Sequence, residues 1–272
     1  PRGSGARRRV VGKPPLSPEH VSADELVVRL ERLRRGRNLS AVAFDADGTL
    51  WNGDVAEDVF HWALERELLS SVPARPLAEV ARAHGIDHEG SSNELAAAIF
   101  EAYISDSFPE RTVCEIMAWC FAGHTADELR HIARQALDDA GLAERVNRTL
   151  TPVFEWAARE KVRVVIVTAS PRFIVEEAAG HWKIAPHDIA ATTAASDCGR
   201  MLPRLVAPVP YGPTKVVFAR QLFGDAAWLA SFGDSPFDLE MLGAAELGVA
   251  VRPKPALLEA LPALRRAVIL EG

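Results

Sequence analysis

Residues 162–167, Val-Arg-Val-Val-Ile-Val, constrain the fold more than any other segment. A near-continuous β-branched run is typical of a strand buried on both faces. Such strands lie in parallel sheets covered by helices on each side. Other short apolar segments repeat the theme: residues 41–44, 189–193, 228–232 and 247–251 each read as a strand. Helical patterns alternate with them. Ser170-Pro171 predicts a helix start with proline at the first helical position, where its missing N–H costs nothing. Residues 214–223 and 237–242 predict two further helices. Strand alternating with helix predicts an α/β fold, a doubly wound parallel sheet.

Residues 51–150 have a different texture. β-branched runs almost vanish, and helical patterns alternate with breakers. Residues 54–69 are amphipathic. Ser91-Ser92-Asn93-Glu94 and Thr125-Ala126-Asp127-Glu128 are capping boxes, in which hydroxyl and carboxylate each satisfy an orphan N–H of the helix start. Each opens an apolar face, Leu95 and Ile99 in one case and Leu129, Ile132 and Leu137 in the other. The stretch predicts an all-helical insert of about 100 residues, long enough for a small core of its own. A third capping box, Ser22-Ala23-Asp24-Glu25, opens a helix that Gly36 ends, just ahead of the first strand. The expected division is a tail over 1–20, an α/β core from 21–51 and 151–272, and the helical unit over 52–150.

The tail is basic and carries no acid before Glu19. Its opening Pro1-Arg2-Gly3-Ser4 looks like the remnant of an expression-tag linker, so residues 1–20 are set aside, with Arg7–Arg9 expected to be solvated. Lysine and arginine total 31 against 37 acids, a formal charge of −6. That balance argues against a general nucleic-acid binder, which needs a basic face. No apolar run reaches the ~18 residues that would cross a bilayer, and no secretory pattern opens the chain. Cys114, Cys120 and Cys198 make neither a metal spacing nor an even framework, so reduced thiols and a cytoplasmic location are expected.

Chemistry-bearing residues follow the strands. In open α/β sheets, ligands bind at the carboxyl ends of the strands. Asp45 and Asp47 follow the first strand, Thr168 the second, and Asp234 the strand from Trp228, with Asp238 one helical turn on. Carboxylates gathered at one edge repel unless something positive fills the cluster. A hard divalent cation fits, because every candidate ligand is an oxygen. Lys215 falls in the first turn of its helix, where the dipole disfavours a cation; a bound anion would reverse that penalty. Asp238 also reads as an ordinary acid at a helix N-terminus. The histidines show no metal-ligand spacing.

Asp45-Ala46-Asp47-Gly48-Thr49, then Thr168, then Lys215, then Gly233-Asp234-Ser235-Pro236-Phe237-Asp238 resembles the four motifs of the haloacid dehalogenase superfamily of phosphatases, in that family's order. The helical insert stands where phosphoserine-phosphatase-like members carry their cap. The resemblance implies that Asp45 is a nucleophile that takes up a phosphoryl group. It implies Mg²⁺ held by Asp45, the backbone carbonyl of Asp47, and Asp234. Asp47 would protonate the leaving alkoxide and then activate water. Thr168 and Lys215 would hold the phosphoryl oxygens, and Asp238 would orient Lys215 or a metal-bound water. The implied activity is a Mg²⁺-dependent phosphomonoesterase acting on a small phosphorylated metabolite.

Several positions depart from that pattern. Ala46 replaces a bulky residue, Thr168 a serine, and Phe237 the asparagine of phosphoserine phosphatases. Asp54 stands where those enzymes have a glutamate that grips the substrate amine, and Arg111 is a candidate for their cap arginine. Asp54, Trp51, Arg172 and Arg111 are the expected substrate contacts. Dehalogenases of the superfamily lack the second acid, so Asp47 argues against dehalogenation. Phosphonate hydrolysis would need a cap lysine, and residues 51–150 contain none. Two alternatives stand beside the hydrolase: a phosphotransferase with an alcohol acceptor, and a non-catalytic binding module on the same scaffold.

Overall fold

The computed structural model describes residues 18–272, so the expectations for residues 1–17 lie outside the described residues. Strand β1 (Glu19–Val21) leads into helix α1 (Ala23–Arg34), which the Ser22–Glu25 capping box opens as expected. Strand β2 (Ser40–Phe44) follows. Six helices then intervene: α2 (Val55–Glu65), α3 (Ala74–Ala83), α4 (Ser92–Ile104), α5 (Glu110–Trp119), α6 (Ala126–Asp139) and the short α7 (Leu142–Arg145). Helix α8 (Thr151–Glu160) returns the chain to β3 (Arg163–Pro171) and α9 (Arg172–Ala178). Strand β4 (Ile189–Thr192) precedes a hairpin of β5 (Ala194–Asp197) and β6 (Arg200–Leu205). Helix α10 (Thr214–Phe223), β7 (Ala227–Gly233), α11 (Leu239–Ala244), β8 (Leu247–Val251), α12 (Pro255–Ala260) and β9 (Ala267–Leu270) complete the chain.

The main sheet has seven strands in the order β1-β9-β8-β7-β2-β3-β4, and every adjacent pair is parallel. The chain winds outward from β2 through β3 to β4, then crosses back to place β7 on the other side of β2. That reversal is the topological switch point, and it opens a crevice at the carboxyl ends of β2 and β7. All five residues of β2 are buried, as a strand covered on both faces requires. Its alternation divides the core. Ala41 and Ala43 pack with Phe223, Trp228 and Met241 beneath α10 and α11. Val42 and Phe44 face the opposite layer, where the Phe44 ring stacks on Phe232 at 4.0 Å and tilts against Phe154 of α8 at 5.0 Å.

The helical insert is tied to the core on two sides. Helix α6 packs on α9, and Arg134 pairs with Glu177 at 2.9 Å across that contact. The β5–β6 hairpin reaches the insert from the core: the Gly123 amide donates to the Met201 carbonyl at 2.8 Å, and the Met201 amide donates to His124 at 2.9 Å. Three expectations are corrected. Glu19 and His20, set aside with the tail, belong to β1, which pairs with β9. Ser170 does not cap a helix: β3 runs through to Pro171, and α9 begins one residue later than expected. Residues 237–242 are a single 3₁₀ turn over Pro236–Asp238 running into α11, not one continuous helix.

Candidate active site

Four chain segments converge at the crevice. Asp45 leaves the end of β2, and its amide donates to the Phe232 carbonyl of β7 at 2.9 Å, which fixes its backbone against the neighbouring strand. Lys215 enters from the first turn of α10 and is 3% exposed. Its ammonium donates to Asp45 Oδ1 at 2.6 Å and to Asp238 Oδ1 at 2.5 Å. The other oxygen of Asp238 accepts from the amides of Asp234 and Ser235 and from the Ser235 hydroxyl, so both of its oxygens are engaged. Asp238 is fully buried, and its two oxygens tie the Lys215 ammonium to the turn after β7.

Asp45, Asp234 and Asp238 each offer a carboxylate oxygen within 4.8 Å of one another. Burial raises the pKa of Asp45 well above its ordinary value, the charges of Asp238 and Asp234 push it further, and Lys215 pulls it back. Asp234 is raised by burial and moderated by Lys254, whose ammonium lies 3.2 Å from its Oδ2. Burial works against the Lys215 ammonium, but Asp238 and Asp45 outweigh it and hold the proton on. The cluster thus carries more carboxylate than its lysines favour. With Asp238 committed to other donors, Asp45 and Asp234 are the acids of the trio with oxygen capacity to spare. Gly48 makes room for Asp234. Its φ is +76°, and a Cβ there would sit 2.2 Å from Asp234 Oδ2.

Asp47 points the other way. Its Oδ1 accepts from Trp51 Nε1 at 2.7 Å and from the Val55 amide at 2.8 Å, and its Oδ2 accepts from the Ser170 hydroxyl. Burial raises its pKa, while these donors oppose the shift. Thr168, 2% exposed, lies within β3 and not at its end as expected, because the strand continues three residues further to Pro171; its hydroxyl accepts the Ser170 amide at 3.1 Å. Asp54 caps α2 by accepting from Ala56 and Glu57, and it lines a small cavity of about 40 Å³ with Glu57, Tyr103, Glu110, Cys114 and Ser170. Burial, then the charge of Asp47, drives its pKa well up. Burial also pushes the Cys114 thiol up to about 12.

The other three expected substrate contacts are engaged with protein groups. Trp51 is fully buried and spends its indole N–H on Asp47, so it holds a neighbour in place. Arg172 turns to the outer edge of the sheet, where it bonds Thr193, Glu176 and the Ile189 carbonyl. Arg111 is 55% exposed and lies 3.5 Å from Glu115 one turn along α5; it does not line the cavity at Asp54. Conversely, Ser170, Lys254 and Arg252 contact the site, and sequence reasoning gave none of them a part in it. Pro171 masked Ser170 by suggesting a helix cap. Lys254 and Arg252 follow a strand end, β8, and that position was the available signal.

The family model of the haloacid dehalogenase-like hydrolases matches residues 42–243. The chain therefore belongs to the haloacid dehalogenase-like hydrolases. Solved structures agree on the fold. A Bordetella pertussis Tohama I protein of unknown function is 21% identical, with a TM-score of 0.66 over 86% of this chain and 98% of that one. A probable phosphoserine phosphatase from Vibrio cholerae is 16% identical, with a TM-score of 0.52 over 85% of this chain and 60% of that one. A phosphoserine phosphohydrolase-like protein from Francisella tularensis is 11% identical, with a TM-score of 0.51 over 85% and 95%. The parallel sheet with its helical insert is thus a fold shared with these structures, two of them described as phosphoserine-phosphatase-like. No curated protein matches the chain significantly. No helix among the described residues is long and apolar enough to cross a membrane.

Proposed function

We propose that the protein is a Mg²⁺-dependent phosphomonoesterase that hydrolyses a small phosphorylated metabolite through a phosphoryl group carried on Asp45. The observation that carries this reading is the buried Asp45 carboxylate, bonded to Lys215 on one oxygen and facing Asp234 across the crevice. The donor set suits a hard cation. Asp45 and Asp234 offer carboxylate oxygens, and Asp47, whose carboxylate is committed to Trp51, Val55 and Ser170, offers its backbone carbonyl. Bound there, Mg²⁺ would screen the repulsion between a carboxylate nucleophile and a phosphate dianion.

The residues divide the reaction between them. In the first step an Asp45 oxygen forms the bond to phosphorus while the ester oxygen leaves. Asp47 gives its proton to that oxygen, a task that the upward shift by burial suits. Lys215 and the Thr168 hydroxyl hold the charge spread over the phosphoryl oxygens. In the second step water attacks phosphorus, the bond to Asp45 breaks, and Asp47 takes the proton from the water. Asp54 lies where it can contact the leaving group, because its cavity shares Ser170 with the Asp47 site. Residues 52–150 act as a cap that excludes bulk water during the first step.

Phosphate release from p-nitrophenyl phosphate, measured with Mg²⁺ and with a chelator, tests the reading. Mg²⁺-dependent turnover that Asp45→Asn abolishes is the expected result. Turnover that survives Asp45→Asn, or no turnover by the wild type at any pH or with any member of a phosphorylated-metabolite panel, would overturn it.

A further inference from the structure

The turn at residues 48–51 carries the chain from Asp47 into the helical insert, and the Arg252 side chain grips it from a distant loop. Arg252, just past β8, directs Nη2 at three backbone carbonyls: Gly48 at 3.0 Å, Thr49 at 3.4 Å and Trp51 at 3.1 Å. These partners are about 200 positions away in sequence. The Arg252 backbone sits at φ +44°, a left-handed conformation that a non-glycine residue rarely adopts. Two residues on, the Lys254 amide donates to the Asp234 carbonyl at 2.7 Å, and its ammonium lies 3.2 Å from the Asp234 carboxylate. One short loop therefore holds both the Asp234 segment and the turn that follows Asp47.

The grip leads to Asp47 through one residue. Arg252 fixes the Trp51 carbonyl, and the Trp51 indole N–H donates to Asp47 Oδ1 at 2.7 Å. The same turn is backed at Gly48, where a Cβ would lie 2.2 Å from the Asp234 carboxylate. The turn is thus held between the Asp234 carboxylate and the Arg252 guanidinium. Asn147 and Trp182 also bond this turn, at the Thr49 and Leu50 carbonyls, but they leave the Trp51 carbonyl to Arg252.

We propose that Arg252 is a positioning residue that, through Trp51, aims the Asp47 carboxyl at the leaving-group oxygen. This rests on the reading of Asp47 as the proton donor. A guanidinium planted on three carbonyls restricts the turn without touching the phosphoryl group. Asp47 then reaches the ester oxygen in one orientation, and proton transfer depends on that alignment.

Leaving-group dependence tests it. An aryl ester such as p-nitrophenyl phosphate departs without a proton, whereas an alkyl ester needs one. Turnover of p-nitrophenyl phosphate is compared with that of the fastest alkyl ester in a phosphorylated-metabolite panel, for the wild type, Asp47→Asn, Arg252→Met, Arg252→Gln and the Asp47→Asn/Arg252→Met double variant. Asp47→Asn is expected to lose roughly 10²-fold or more in kcat on the alkyl ester beyond its loss on the aryl ester. Arg252→Met is expected to show the same selective loss at about tenfold, in kcat and not in KM, and to add nothing to Asp47→Asn. Arg252→Gln, which keeps a donor, is expected to fall between Arg252→Met and the wild type. If Asp47→Asn is selective but Arg252→Met lowers both esters equally or neither, Arg252 does not act through Asp47 and the proposal is wrong. If Asp47→Asn itself shows no selectivity, the proton-donor reading fails, and the role of Arg252 fails with it.

Discussion

Lys215 shows how much one buried charge can organise. Its ammonium joins β2 to the turn after β7 by bonding Asp45 and Asp238, all three nearly or fully out of water. Lys215→Met would leave two carboxylates facing each other without their shared donor. The expected cost is about 3–5 kcal/mol of stability and a loss of about 10²–10³ in kcat, read by urea unfolding and phosphate release. Adding Asp238→Asn should return part of the stability and none of the rate, because it relieves repulsion without restoring the positive charge. The places of Lys215, Asp45 and Asp234 were legible in the sequence, since each follows a strand or sits in the first turn of a helix; Thr168 was expected at a strand end, but β3 runs on to Pro171. Side-chain direction was not legible. Trp51 and Arg172 lie beside motifs, yet one turns inward to Asp47 and the other outward to β4. The bond from Ser170 to Asp47 spans 123 positions, and nothing in the local pattern at either end announces it.

Among the elements, the capping boxes show where local sequence is sufficient. All three form as their spacing predicts, each with hydroxyl and glutamate satisfying the other's backbone partner. Thr125 caps α6, the helix that packs on α9 of the core. Thr125→Ala should cost about 1 kcal/mol, and amide exchange over the first turn of α6 should quicken by about fivefold where opening is local. Central strands were legible for a related reason: burial on both faces writes an unbroken apolar run. Strand β1 has only three residues, two of them exposed, and pairs solely with β9, so no periodicity could reveal it. The β5–β6 hairpin was missed because nearly all of it is partly buried or exposed and it bonds to Gly123 and His124 in the insert. Such bonds depend on tertiary context, which a propensity argument does not contain.

At the scale of the whole molecule, the site costs stability that a cation can return. Asp45, Asp234 and Asp238 are gathered with Lys215 and the largely exposed Lys254 as their close cationic partners, and burial raises both Asp45 and Asp234. A carboxylate whose pKa rises on folding disfavours the folded state once pH exceeds its unfolded value. Around neutral pH, the metal-free protein therefore carries a penalty at this crevice. A ligand that binds only the folded state repays RT ln(1 + [L]/Kd), about 2.7 kcal/mol at a hundredfold excess over Kd. For a chain of this size that corresponds to a rise of roughly 5 °C or more in Tm. Adding Mg²⁺ should produce such a rise in a thermal melt, and a chelator should reverse it. Asp234→Asn separates the two contributions. It removes a buried like charge and a metal ligand together, so the variant should melt no lower than the metal-free wild type yet show no shift with Mg²⁺. A variant that melts lower and still responds to Mg²⁺ would mean that Asp234 serves packing and that the cation binds elsewhere.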